Sequence, residues 1–237
     1  MGAVVTILIG LIGTVVGVAL TKMTENYFEK KKEFKLFVAD IEDVIKWGWN
    51  GKKLLQHLIA LDYETTENLN EDNEGTINQW APVFINNPDC WKLLAIRPCE
   101  VVGYWSFFAL KKDFFEKMKQ GIVNDSEITI DTVIPFENPG EYNIYISIIC
   151  IKEFYRRNGY LLLHNSFVDK LNELTDAGYI INEVCANAFT DIGEIMSKNI
   201  GLKKTNKHNN FGSIYSGTYI DVCKSKAARN KLKIPTV

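Results

Sequence analysis

The chain has 237 residues, 46% of them apolar and 24% charged, enough to bury one full α/β core with an appendage but not two large domains. Its 27 Lys and Arg against 29 Asp and Glu leave a formal net charge of -2, without the basic excess that binding to nucleic-acid phosphates requires. Five cysteines, odd in number and set mostly in apolar runs such as Ile148-Ile149-Cys150-Ile151, read as reduced core thiols, and no CxxC pair or His/Cys cluster points to a metal.

Residues 2–20 are all apolar, Gly or Thr, a run that at about 1.5 Å per residue nearly crosses a roughly 30 Å hydrocarbon core. The expectation is a single-pass transmembrane helix over residues 1–21, the alternative a buried helix or a greasy terminus that pairs with a partner. Basic residues follow the run rather than precede it, which argues against a cleaved signal peptide and keeps Lys22, Lys30, Lys31, Lys32 and Lys35 in the cytoplasm with the soluble domain. Gly13 and Gly17 have the spacing that lets two membrane helices approach closely, a route to a homo-oligomer.

Residues 22–79 read as juxtamembrane helices and an acidic loop. Apolar residues from Phe28 to Ile59 recur near helical spacing, with Trp47-Gly48-Trp49-Asn50-Gly51 dividing them, and the acidic stretch between Tyr63 and Gln79 has the composition of a solvated loop. The pattern then changes to strands at Trp91–Arg97 and Val101–Leu110 around a Pro98-Cys99-Glu100 turn, followed by a short helix over Lys112–Gln120. Two more strands fall at Ile128–Ile134 and Tyr142–Ile151, separated by the turn residues Pro135 to Gly140. A helix from Gly159 to Ala177, a strand over Tyr179–Ala186, a helix over Asp191–Asn199 and strands near Gly201–Lys204 and Phe211–Val222 complete the order. The fold class is mixed α/β, and residues 224–237 form a basic tail suited to anionic lipid.

One junction carries the chemistry. The apolar strand ending at Ile151 runs through Arg156 and Arg157 into an amphipathic helix, and the free N–H groups and dipole of a helix start favour an anion such as phosphate. A plain turn with a solvated Arg pair is the competing reading. Ile151-Lys152-Glu153-Phe154-Tyr155-Arg156-Arg157-Asn158-Gly159-Tyr160-Leu161 resembles the acetyl-coenzyme A signature of the GCN5-related N-acetyltransferases, Arg/Gln-x-x-Gly-x-Gly/Ala. Downstream, Ala188 to Lys203 resembles the later helix of that family, which ends in Gly-Phe-Lys, and the order of elements agrees over residues 80–223.

The resemblance implies an acyl-CoA N-acyltransferase-like fold that binds acetyl-coenzyme A and moves an acyl group to an amine, with no metal and no nucleic acid. It implies that backbone groups of Ile149 and Ile151 pair with the pantetheine arm and that Arg156, Arg157, Asn158, Gly159, Tyr160 and Leu161 wrap the pyrophosphate. Leu161 replaces the second small residue of the signature. Ser197 stands where many members carry an acidic Tyr, Tyr145 where histone-type members carry a basic Glu, and Thr190 where Asn is common. Tyr145 and Ser197 are therefore the catalytic candidates, and the alternative is a catalytically inactive fold acting as a membrane-bound sensor or interaction module.

Overall fold

A computed structural model describes residues 35–67, 69–96 and 100–225, with Ala228 and Leu232. The expected membrane helix, Gly13, Gly17, the Pro98-Cys99 turn and most of the basic tail lie outside these residues. Among the described residues, no helix is long and apolar enough to cross a membrane.

The element order is β1 (Phe37–Ala39), α1 (Ile41–Lys46), α2 (Gly51–Thr65), α3 (Glu71–Glu74), α4 (Ile77–Asn86), β2 (Trp91–Ile96), β3 (Glu100–Ala109), α5 (Lys112–Gln120), β4 (Glu141–Ile151), α6 (Arg156–Asp176), β5 (Ile180–Ala188), α7 (Asp191–Asn199), β6 (Lys203–Lys207), β7 (Ser213–Thr218) and α8 (Tyr219–Cys223). Among the described residues, seven strands form one mixed sheet in the order β1-β2-β3-β4-β5-β7-β6. Only β4 and β5 run parallel, which requires the crossover that α6 supplies.

Both faces of the sheet are covered, which is why β3 and β4 read as nearly unbroken apolar runs. One face packs Leu54, Leu58, Trp80, Phe84 and Phe115 of α2, α4 and α5 against Leu93, Tyr104, Phe108 and Tyr145. The other packs α6 and α8 against Leu94, Trp105, Phe107 and Ile144. Along α6, Leu163, Phe167, Leu171 and Leu174 are buried at helical spacing, each worth about 1.5–3 kcal/mol relative to exposure. Phe167 meets Trp105 and Phe107 edge-on at 5.8 Å, and the Trp105 indole N–H donates to Ser166 Oγ at 2.8 Å, so the buried ring loses no hydrogen bond.

Several elements depart from the sequence pattern. Phe37–Ala39, expected as helix, is an edge strand on β2; Asp40 then caps α1 in extended backbone with a capping box to Asp43, so the helix starts four residues after Phe37. The acidic stretch is not a solvated loop throughout. Asn70 caps a turn of helix by accepting from Asp72 and Asn73 N–H, and Glu74 at its end is buried. Gly75 leaves that turn at φ +94, where an added Cβ would stand 3.1 Å from Ser126 Cα, so the turn is pinned against the segment before β4.

The expected strand at Ile128–Ile134 is a pair of turns touching the sheet through a single bridge, Leu110 to Val133. Thr132 N–H and Oγ1 both bond back to the Thr129 carbonyl, at 3.0 and 2.9 Å, a local bond that competes with a strand ladder. At the C-terminal end β7 stops at Thr218, whose side chain caps α8, so the expected strand to Val222 finishes as helix. Cys90, Cys150, Cys185 and Cys223 are buried free thiols, as the sequence reading expects.

Candidate functional site

The site begins at an irregularity in β4. On its β3 side Ser106 pairs with Ile148 and Phe107 with Ile146, so Ser147 is one residue too many and forms a β-bulge. On its other side β4 pairs with β5 from Glu141 and Ile180 only as far as Ile146 and Ala186. Beyond the bulge the two parallel strands part. The gap opens as a cleft of about 660 Å³, continuous with solvent, walled by Ile146 to Ile149, by Ala186 to Thr190, by Met196 and Ser197 of α7, and on the far side by Thr66, Leu69 and Glu74.

Lys152 N–H donates to Val102 of β3, so strand alternation turns Cys150 toward β3 and leaves the backbone groups of Ile149 and Ile151 facing the gap. The Ile151 carbonyl already accepts from Arg156 Nε at 3.1 Å, tying the arginine to the end of the strand. A single 3-10 turn, Glu153–Tyr155, runs into helix α6, which has no side-chain cap; the Arg156 N–H is held by the Glu153 carbonyl. Arg157 and Asn158 are exposed beside it.

Gly159 faces inward instead. It is buried, and a Cβ there would stand 2.4 Å from Leu94 Cδ2, so the glycine allows α6 to lie close on the sheet. Tyr160 is half-buried against His164, while Leu161 is 60% exposed and meets no obstacle where the signature has a small residue. Thr190 caps α7 by accepting from Gly193 N–H at 3.0 Å. Of the expected site residues, Ile149 and Ser197 line the cleft, whereas Arg156, Arg157 and Asn158 stand at the start of α6 outside its walls and Gly159 and Leu161 turn to other surroundings.

Tyr145 lies on the opposite face of β4 from Ile146. It is fully buried, and its hydroxyl donates to Asp125 Oδ1 at 2.6 Å while Ser147 Oγ donates to Oδ2 at 2.7 Å. Burial pushes the Asp125 carboxyl up to about 6, against the pull of these two hydrogen bonds. Burial, then the Asp125 charge, raises the Tyr145 hydroxyl, which stays a donor.

A pair of acids lies within reach of the Asp125 charge. Asp62 and Glu74, both buried, are hydrogen-bonded to each other; Tyr104 OH donates to Asp62 Oδ2 at 2.5 Å and Cys150 Sγ to Oδ1 at 3.5 Å. Burial raises both carboxyls, and their mutual repulsion and the Asp125 charge add to it for Glu74. Burial likewise raises the Cys150 thiol, which excludes it as a ready thiolate nucleophile. Sequence reasoning passed over these acids. The available signal was Asp62, which continues the buried stripe of Leu54, Leu55, Leu58 and Leu61 where another leucine would be expected.

Among the described residues, no group of three His, Cys, Asp or Glu side chains is arranged to hold a metal ion. No protein-family model matches the sequence, and no curated protein matches it. Among solved structures, PH1933 from Pyrococcus horikoshii OT3 superposes with a TM-score of 0.49 at 13% identity, over 78% of this chain and 98% of its own. An acetyltransferase of the GNAT family from Staphylococcus aureus Mu50 gives 0.47 at 10% identity over 78% and 99%. The ribosomal-protein-S18-alanine N-acetyltransferase from Escherichia coli gives 0.43 at 8% identity over 78% and 94%.

Proposed function

We propose that this chain binds acetyl-coenzyme A, or a related acyl-coenzyme A, between β4 and β5 and transfers the acyl group to an amine. The observation that carries this reading is the parting of two parallel strands at the Ser147 bulge. It leaves β4 without a β5 partner from Ser147 to Ile151, with Ile149 on the wall of the cleft, and the strand leads on into a helix start that has no side-chain cap and carries two arginines. An edge with unpaired N–H and C=O groups suits the amide-rich arm of the coenzyme, as β-augmentation does for peptides. The pyrophosphate suits the first turn of α6, where the helix dipole, Arg156 and Arg157 meet an anion.

Ser197 lines the cleft, and in this reading its hydroxyl donates to the departing thiolate. Residues 2–20 tether the domain to a membrane, with Lys22 and Lys30 to Lys32 holding it on the cytoplasmic side, where acyl-coenzyme A is made. For the tether, the full chain is expected to stay with membranes through alkaline carbonate extraction; release into the supernatant contradicts it. The coenzyme site is tested by calorimetry on the detergent-solubilised full chain. Saturable heat from acetyl-coenzyme A, with a rise in unfolding temperature, is expected, and no binding of acetyl-, succinyl- or palmitoyl-coenzyme A would sink the reading.

A further inference from the structure

Beside the cleft, on the face of the sheet covered by α2 and α4, is a smaller chamber with room for about one water molecule. Its wall includes Asp62, Glu74, Trp91, Tyr104, Ser106 and Ser147. Two of these side chains have no partner: Trp91 Nε1 and Ser106 Oγ form no hydrogen bond, although Trp91 is 3% and Ser106 1% exposed. An unsatisfied buried donor costs about 1–3 kcal/mol, so an unbonded indole N–H and an unbonded hydroxyl on residues that wall one small polar space call for a guest that both accepts and donates. Water is the guest that fits the space. Glu74 lines the chamber and also the cleft, so it stands between the two.

We propose that Glu74, bonded to Asp62 and backed by a water held on Trp91 and Ser106, takes the proton from a cationic primary amine entering the cleft from the α2–α3 side. The acceptor class is then aliphatic amines as basic as a lysine side chain. This rests on the acyl-transfer reading of the cleft. The groups facing the pair are Tyr104 of β3 and Cys150 of β4, which donate to Asp62, the carboxyl of Asp125 before β4, and Tyr63 of α2. With two donors on Asp62, the pair's shared proton rests on Glu74.

An incoming ammonium hands a proton to Glu74 as Glu74 passes its own to Asp62, and the pair becomes neutral. The neutral amine attacks the thioester carbonyl, the C–N bond forms, and the C–S bond breaks. Of the two protons the nitrogen loses, one ends on the coenzyme thiol and one is released to water. A strongly basic amine needs this machinery most, because at pH 7 about one molecule in 2,500 is neutral at a pKa of about 10.4, against about one in ten at a pKa of about 8.

The test uses the full chain in detergent with acetyl-coenzyme A and two probe amines: butylamine, close to lysine at about 10.4, and glycinamide, close to an α-amino group at about 8. Glu74→Gln keeps the hydrogen bond to Asp62 and removes the proton acceptor; Asp62→Asn is the second variant. Expected for Glu74→Gln is unchanged acetyl-coenzyme A affinity and a loss of about 100-fold in kcat/KM with butylamine at pH 7. The loss should be smaller with glycinamide and shrink as pH rises toward the pKa of each amine. Asp62→Asn, which leaves Glu74 no acceptor for the proton it passes on, should show the same amine- and pH-dependent loss.

An equal loss for both amines at every pH, or no loss, overturns the proposal by making Glu74 structural. So does a chain that binds acetyl-coenzyme A and acylates neither amine. Absence of acetyl-coenzyme A binding in the unmodified chain is a separate failure, that of the acyl-transfer reading, and takes the proposal with it.

Discussion

Deleting Ser147 tests what the bulge does. Across the bulge, Ile146 and Ile149 keep to the α6 face while Tyr145, Ser147 and Ile148 keep to the other, so removing Ser147 restores strict alternation and flips no neighbour. The pairs Phe107–Ile146 and Ser106–Ile148 keep their register. The expected structural cost is the Ser147–Asp125 hydrogen bond, about 1.5–3 kcal/mol for a bond to a charged group, with Tyr145 still holding the other Asp125 oxygen. The effect on binding is larger in kind. A regular β4 can continue its pairing with β5 past Ala186, closing the gap and consuming the free edge. Losing two ladder-type bonds to the coenzyme, at about 1 kcal/mol each, weakens affinity about 30-fold even before steric closure. Calorimetry with acetyl-coenzyme A and urea unfolding read the two quantities separately. Ser147→Ala is the control, losing the hydrogen bond while keeping the bulge and the affinity. A folded deletion variant within about threefold of the original affinity would refute the argument that the bulge makes the site.

Asp62, Glu74 and Asp125 have carboxyls raised by burial, so between about pH 4 and 6 the folded state holds protons that the unfolded chain has released. Stability should therefore fall as pH rises through that window, and the pair extends the fall above it. Thermal unfolding at pH 5 and 8 checks this; Glu74→Gln should flatten the slope, and a midpoint that rises with pH would contradict it. Arg157→Glu, at an exposed position, should leave stability within about 0.5 kcal/mol and weaken acetyl-coenzyme A binding about tenfold by calorimetry. Gly159→Val should cost about 1–3 kcal/mol in urea unfolding by overpacking against Leu94, and Leu94→Ala in the same chain should recover part of that loss.

The strands and the crossover helix were legible because their signals are long and of one kind. The continuous apolar runs of β3 and β4 fit a sheet covered on both faces, and the period of Leu163, Phe167, Leu171 and Leu174 fits a helix lying on it. The departures came where local bonds overrule composition. Asn70 folds an acidic stretch into a capped turn, Thr129 and Thr132 turn an apolar run back on itself, and Pro82 lies inside α4, where sequence alone argues against a helix.

At the site, the free edge at Ile149 and the arginines at the start of α6 could be anticipated from the resemblance, but the bulge could not, since nothing marks Ser147 in the sequence. The acids were hidden for a different reason. Asp62 falls at the end of an expected helix and Glu74 within the expected acidic loop, and only their burial by residues far along the chain makes them chemically unusual.

The central claim is that acyl-coenzyme A lies along the free edge of β4. Amide hydrogen exchange on the full chain, with and without acetyl-coenzyme A, tests it most directly. Protection is predicted at Ile149, Ile151, Arg157 and Asn158, with little change at the already paired Tyr104, Arg156 and Val184. Binding that leaves the Ile149 and Ile151 amides as exchangeable as before would contradict it.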